Sequence, residues 1–575
     1  MPWTLYRYIL RELLKVLVLT TSVMVVVLSF GAAIGPMADG LLGPVTLVKF
    51  VLYTMPTVLG FALPFAGAFS ATVVFHAMSK DNEVLACRAG GMSYSRIFAP
   101  VAALGFVLML VLLLLSNTIV PGFWKLAKKT VEGDVLGVLV SQLNQNRPYM
   151  LANGSLVLTA DYSEVREPPP NSSVGNLSAE QFIVMTRVAV AQFDKATNKV
   201  ASDTTASTAS ALLVRDENGK AYITLRLEDP VHYNAASNQF ETVGQSGTLE
   251  TDQPILLPDP ISDEAVFFTF QDLMRLKNNP QAFDRVREAQ ADLTAAVSRQ
   301  QLTNLIVEAL APETGRGFIT LKGGLPNTYF RLSAPVTKSN DAGLVFMSSG
   351  PTRVTIDRYD NAQLLGDPIR RFEADIAELT VRTDRFDREP EARILMRNVS
   401  VLGLNDSGAV NNKEEYAFPS MRYPEQVLGR DPSTMSPEEV GEWTLRESMR
   451  DAAGVQQAKV NLRFRIIQLK YMIDAELYTR IATALATPLL LLLGTLLAVR
   501  MHDRLPLVVF FWAFILAIVT LVMIHTGSSM AERISIPDII NGTGGDRLIG
   551  VGVLWGGNLL LLLVIARLYL RVARS

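Results

Sequence analysis

Apolar and polar positions divide this chain into two kinds of territory. Six stretches run free of Asp, Glu, Lys and Arg: residues 16–38, 50–79, 97–124, 481–499, 505–531 (where His525 is the only ionisable group) and 548–566. A helix needs about 20 apolar residues to cross a bilayer core, and each charge buried there costs a few kcal/mol. Each stretch therefore predicts a spanning helix, in two groups of three. The first is too long for the h-region of a signal peptide and no A-x-A-like site follows Ala38, so it is expected to stay as an anchor.

Between Lys125 and Arg480 the pattern changes period. "GSLVLTADY", "QFIVMTRVAVAQFD", "ALLVRDENGKAYITLRLEDPVHY" and "RRFEADIAELTVRTDRF" alternate apolar with polar residues, and "DENGK" is an Asn-Gly hairpin signal. Short strands of this kind predict a β-sandwich or jelly roll, with Val157, Ile183 and Ile223 expected in its core. Helical periodicity returns at 284–310 and at 436–473, the latter leading into the fourth span. "YITLRLEDPVHYN…ILLPDPISDEAVFFTFQDLMR" is echoed by "RILMRNVSVLGLN…VLGRDPSTMSPEEVGEWTLRESMR": strand, polar stretch, Asp-Pro turn, acidic patch, helix. Two readings stay open, a duplicated β-unit or a chance recurrence of strand and turn grammar.

Composition agrees with a mixed protein. The chain is 49% hydrophobic over 575 residues, with a mean hydropathy of +0.25. Lys and Arg in the short loops set orientation. One side carries Arg7, Arg11, Lys15, Lys80, Arg88, Arg96, Arg500, Arg504, Arg567, Arg571 and Arg574; the other carries Lys49, Arg533 and Arg547. Eleven against three places both termini in the cytoplasm and the middle region on the opposite face. A net charge of −2 gives no ground for nucleic acid binding, and the single cysteine, Cys87, leaves the outer region to fold without disulfides.

The chemistry of an energy-using enzyme is missing. His76, His232, His502 and His525 lie far apart without metal-ligand spacing, so neither a metal nor a cofactor is expected. No phosphate-binding P-loop occurs, since Gly219-Lys220 lacks the upstream glycine and "NGTGGDR" lacks the lysine; no G-x-S-x-G elbow occurs either. The polar residues within the spans are chiefly Asn117, Ser528, Ser529 and Asn558, none a carboxylate, which argues against an ion-coupled carrier. Such a protein must draw energy from another chain.

The segment "SKDNEVLACRAGGMS", residues 79–93, suits that need. Ser79 or Asp81 can cap a helix, Glu83 sits in its first turn, and Gly90 or Gly91 supplies a left-handed end. The resulting helix of about eight residues would be roughly 12 Å long, too short to span and suited to a partner's groove.

"DNEVLACRAGGMSYSRI" resembles the segment after the second span in the LptF/LptG (YjgP/YjgQ) permease family, where a short helix docks on an ATPase subunit. "LYRYILRELLKVLVLTTSV" is similar to that family's amphipathic lead into span one, and "SNTIVPGFWKLAKK" to its proline-containing departure from span three. "DAELYTRIATALATPLLLLLGTLLAVRM" is similar to its start of span four, with Glu476, Arg480 and Pro488 at matching positions.

The resemblance implies a fold of six transmembrane helices, three plus three, with a large periplasmic β-jellyroll-like domain. The single jellyroll of the family would need roughly half of the 355 residues between Lys125 and Ile481, so a duplication or an insertion is implied. The expected domains are 1–129 with a coupling helix at 80–91, a β-rich region 130–470, and 471–575. The implied function is a non-enzymatic permease subunit of an ABC-type complex in the inner membrane, extracting lipopolysaccharide towards a periplasmic bridge protein. Its implied partners are a cytoplasmic ATPase and a second permease subunit. Asp81, Glu83, Arg88 and Gly90 would serve the ATPase joint. Lys49, Lys125, Lys128, Lys129 and Arg480 are the outer cations available to an anionic lipid, or else ordinary interfacial anchors. Another lipid or lipoprotein cargo, and a scaffold or sensor without transport, remain the alternatives.

Overall fold

The computed structural model describes residues 3–38, 44–132, 135–151, 156–424, 452–534 and 545–574, with Glu439, less short stretches of at most eight residues within 156–424. Among the described residues, six helices are long and apolar enough to cross a membrane: Trp3–Gly35, Leu47–Lys80, Tyr94–Leu126, Ala453–Arg500, Pro506–Ala531 and Arg547–Arg574. Each overlaps one charge-free stretch of the sequence.

The helices are labelled in chain order as α1 (Trp3–Ala38), α2 (Pro44–Lys80), α3 (Glu83–Ala89), α4 (Tyr94–Leu114), α5 (Val120–Glu132), α6 (Val135–Asn144), α7 (Phe270–Asn278), α8 (Asp284–Leu310), α9 (Ala453–Arg500), α10 (Pro506–Ala531) and α11 (Gly545–Arg574). A π-helical turn, Leu115–Ile119, joins α4 to α5 without a break. The amphipathic lead of α1 is continuous with its span, burying Ile9, Leu13 and Leu17 while Arg7 and Arg11 stay exposed. Of the helix expected at 436–473, residues 436–451 lie outside the described residues apart from Glu439; from Ala453 it runs unbroken into the fourth span as α9.

Two compact units divide the chain: Met1–Asn278 with Gln468–Ser575, and Asn279–Ile467. In the first, the spans pack through an apolar core that includes Phe75, Ile97, Leu490, Leu491 and Leu554. Backbones meet closely where glycine allows it. A Cβ on Gly494 of α9 would lie 2.6 Å from the Ala68 carbonyl oxygen of α2.

The first unit also carries an antiparallel sheet of nine strands. Its main path is Tyr149–Leu151, Leu156–Arg166, Gln181–Phe193, Val200–Arg215, Ala221–Glu228, Thr248–Glu250. Leu158, Ile183, Met185, Leu213 and Ile223 form one buried face, closed by Leu139 and Leu143 of α6. Val157, expected beside them, is only half-buried, because the alternation puts Leu158 and Ala160 inward and Val157 on the other face. The strands on either side of the "DENGK" turn pair directly, with Arg215 opposite Ala221; the turn itself lies outside the described residues.

The second unit holds a ten-stranded antiparallel sheet. Part of it closes on itself: Pro390–Gly403, Arg370–Ala374, Val354–Tyr359, Tyr329–Ser333, Ile319–Gly323 and Met421–Arg422 form a ring, since Arg422 pairs with both Lys322 and Glu391. Phe330, Phe372, Tyr416 and Phe418 pack ring on ring within it, and Leu302, Ile306 and Leu310 of α8 join the same core. The alternating run 370–386 holds two strands. Arg370–Ala374 and Ile376–Thr383 pair with the same edge of the long strand Pro390–Gly403 in one register, Arg370 opposite Gly403 and Thr383 opposite Pro390, and are interrupted at Asp375, where their other neighbour changes from Val354–Tyr359 to Gly343–Met347. The buried face slips by one residue there, from Phe372 and Ala374 to Ala377 and Leu379, leaving Ile376 exposed.

Candidate functional site

α3 lies between the second and third spans, and its ends follow from two local choices. The last turn of α2 keeps its hydrogen bonds through Asp81 N–H to Ala77 O (2.9 Å) and Asn82 N–H to Ser79 O (3.2 Å), so the chain must reverse within two residues. Asn82 does this at φ 59°, a left-handed conformation that asparagine tolerates. Ser79 and Asp81, expected as caps, therefore do not cap: Ser79 is inside α2, and α3 starts with no side-chain cap at all. The other end is a Schellman motif, with Gly91 N–H on Arg88 O (2.9 Å), Met92 N–H on Cys87 O (3.1 Å), and Gly91 at φ 81°. Gly90 keeps φ −76° and is the capping residue, so the left-handed position belongs to Gly91.

α3 has seven residues, about 10 Å at 1.5 Å each. Val84, 5% exposed, sets one edge into the core of the spans, with Cys87, Met92 and Tyr94 packed around it. The other edge presents Leu85 at 65% exposure together with exposed Asp81, Arg88 and Gly90. The Arg88 guanidinium lies 4.2 Å from the Tyr94 ring centre. Glu83 is half-buried and accepts a long hydrogen bond, 3.5 Å, from the Tyr8 hydroxyl of α1. Burial pushes the Cys87 thiol up, and the Glu83 carboxylate raises it further. Of the four residues expected at this joint, Glu83 and Arg88 lie in α3, Asp81 in the turn before it and Gly90 at its C-cap. Leu85 and Tyr8 were missed, the first because an apolar residue on a short helix reads as core, the second because it is 75 residues from its partner.

The outer cations scatter at the opposite end of the spans. Lys49 is exposed. Lys125 pairs with Asp272 of α7 at 3.1 Å. Burial alone would raise the Asp272 carboxyl, but hydrogen bonds from Lys125 and Thr269 and the Lys125 charge hold it below its ordinary value. Lys128 and Lys129 fall in α5, with side chains outside the described residues.

Arg480 is a correction. It does not face outward: its side chain is 4% exposed, and its Nε donates to Glu476 Oε1 (2.7 Å). Its Nη1 donates to Asn117 Oδ1 (3.3 Å) in the π-helical turn, and Nη2 to the carbonyls of Phe268 (2.9 Å) and Ala265 (3.3 Å). Taking a guanidinium out of water costs several kcal/mol, which only a full set of partners offsets. Six residues earlier on α9, Asp474 accepts from Lys277 Nζ (2.7 Å) and Arg547 Nη2 (2.5 Å), and Arg547 lies 4.8 Å from the Tyr471 ring centre.

Six apolar helices long enough to span, together with extensive antiparallel sheet, define a multi-pass membrane protein carrying β-structure. The sequence profile of the lipopolysaccharide export system permease LptF/LptG matches residues 7–312 and 335–571, and the chain belongs to that family. No curated protein matches it significantly.

Proposed function

We propose that the chain is one permease half of an ABC-type complex that draws lipopolysaccharide from the outer leaflet of the inner membrane and hands it to a periplasmic bridge. The two groups of three spans would form one wall of a cavity whose other wall is a second permease subunit. The short helix α3 would sit on a cytoplasmic ATPase, both termini would lie on that same side, and the sheets would lie in the periplasm. The long middle region, 130–470, would supply a jellyroll-like conduit, with its second sheet a duplicated or inserted unit.

The observation that carries this reading is the two-edged placement of α3. One edge is anchored in the core of the spans by Val84 and the other presents Leu85, Asp81 and Arg88 outward. A short rigid element fixed at both ends to spanning helices moves them when a partner moves it, and an exposed leucine among charges fits an apolar groove with a polar rim. Lys49, Lys125, Lys128 and Lys129 are the cations we assign to the lipid's anionic head group. Arg480 leaves that set, because its donors are taken up inside the protein.

The test is to purify the tagged chain in mild detergent as wild type, Glu83→Ala and Leu85→Asp, and to identify co-purifying proteins and lipid by mass spectrometry. A P-loop ATPase recovered with wild type and lost from the variants, with lipopolysaccharide in the wild-type sample, supports the reading. An ATPase absent from all three samples sinks it.

A further inference from the structure

Two kinds of bond fasten α7 and the turn before it to the spans, and exposure separates them. The inner kind is withdrawn from water. Arg480 of α9 donates to the carbonyls of Ala265 and Phe268 at 3.3 and 2.9 Å, just ahead of α7. Asp474 of α9, only 16% exposed, holds Lys277 in the last turn of α7 at 2.7 Å and also accepts from Arg547 of α11. Taking one partner out of such a bond strands the other where water does not replace it. The outer kind is the pair of Lys125 on α5 with Asp272, 3.1 Å apart, with side chains 57% and 37% exposed. Exposed pairs of this geometry shift an equilibrium by about fivefold at most, because water and ions compete for both partners.

Neither partner of the outer pair depends on it for its place. Thr269 and Asp272 form a capping box, with Thr269 N–H on Asp272 Oδ2 (3.3 Å) and Asp272 N–H on Thr269 Oγ1 (3.1 Å). The same Oδ2 accepts from Lys125 Nζ, so without the lysine the carboxylate still has the first turn of α7 to cap. On the other side, the ring of Trp124, next to Lys125 on α5, lies 5.0 Å from that of buried Phe267. The backbone that carries Lys125 is therefore held by ring packing, and its four-carbon stem lets the ammonium move.

A phosphate monoester carries about −1.5 to −2 charges at pH 7 and three acceptor oxygens. Lysine meets it as a point charge, with no fixed geometry to satisfy. Such a group has the advantage over a single carboxylate at Lys125, and the carboxylate it displaces falls back on its cap.

We propose that Asp272 is a resident competitor for Lys125, holding the ammonium until the phosphate of a lipid head group takes its place and returning when the lipid leaves. This rests on the assignment of Lys125 to the head group under the permease reading. A carrier has to release what it binds, and a carboxylate already beside the cation weakens the hold without removing the site.

The test uses the full chain in maltoside micelles, which contain no phosphate. Carbodiimide joins an ammonium to a carboxylate only where the two touch, so the crosslinked Lys125–Asp272 peptide, quantified by mass spectrometry, reads the pair directly. Lipopolysaccharide should lower its yield by about fivefold, and neither dephosphorylated lipopolysaccharide nor inorganic phosphate at the same concentration should do so. No crosslink in empty micelles, or an unchanged yield with lipopolysaccharide bound, overturns the exchange. An equal fall with the dephosphorylated lipid or with inorganic phosphate overturns the lipid phosphate as its cause.

Titration of lipopolysaccharide onto variants gives a second reading. Asp272→Asn should bind about fivefold tighter than wild type and Lys125→Ala about threefold weaker. The double variant should match Lys125→Ala, because the carboxylate acts through that ammonium. A double variant that keeps the gain of Asp272→Asn, or a Lys125→Ala chain that binds as wild type does, overturns the proposal. A wild-type chain that binds no lipopolysaccharide overturns the permease reading instead. Phosphatidic acid added to the micelles then decides the exchange, which stands if the crosslink is lost and falls if it persists.

Discussion

Arg480 and Glu476 lie one helical turn apart on α9 with 2.7 Å between Nε and Oε1, and both side chains are largely withdrawn from solvent, at 4% and 15% exposure. A charge pair in that setting is held by its surroundings more than it holds them, because its desolvation cost rivals its attraction. Arg480→Met therefore takes the guanidinium away from Glu476 and one donor from each of the Ala265 and Phe268 carbonyls, of which Ala265 O keeps the Phe268 N–H at 3.2 Å. A loss of about 3–5 kcal/mol is expected, whereas Arg480→Met with Glu476→Leu should recover much of it. Thermal unfolding in detergent compares the single and double variants, and equal melting temperatures for wild type and Arg480→Met would refute the expectation.

Gly494 meets α2 where a Cβ would lie 2.6 Å from the Ala68 carbonyl oxygen and 2.8 Å from Thr72 Oγ1. Gly527 of α10 is closer still to its neighbour, with no room for a Cβ beside the Leu554 backbone of α11. Alanine at either position must push two helices apart, at about 1–3 kcal/mol. Alanine at Gly122, where nothing lies within 4 Å, is the control and should leave the melting temperature unchanged.

The link between Lys125 and Asp272 predicts an acid dependence. The folded Asp272 carboxyl is held below its ordinary value by Lys125 and Thr269 against the opposing effect of burial. Its contribution is therefore present above the unfolded value and is lost as pH falls through the folded one. Exchange at α7 should quicken in strong acid in wild type. Asp272→Asn should show fast exchange throughout and no acid step of its own; a wild-type acid step that persists in that variant would assign the effect elsewhere.

Cys87 is the single thiol of the chain, so alkylation reads its environment directly. Burial and then Glu83 raise it, which lowers the reactive thiolate fraction at any given pH. The pH at which iodoacetamide labelling reaches half its maximal rate should lie above that of a free thiol. Glu83→Gln should move it partway down, while leaving the burial contribution in place.

The composition of each stretch was enough to determine the six spanning helices, the β-rich middle and the short helix between the second and third spans. Charge-free length and alternation are local properties that packing in a membrane or a sheet preserves. That Asp81, Glu83, Arg88 and Gly90 gather around α3 was legible for the same reason, since they lie within ten residues of one another.

What the sequence left open is set by long-range geometry. Its charge pattern placed Arg480 among the outward cations, but Asn117 lies 363 residues away and the carbonyls of Ala265 and Phe268 more than 200, and only the packed spans bring them within hydrogen-bond reach. The same holds for Tyr8 beside Glu83 and for the interruption at Asp375, where the buried positions slip by one while the pairing with Pro390–Gly403 stays in register. A buried charge takes its role from the donors and acceptors around it, and those are chosen by tertiary structure rather than by neighbours in sequence.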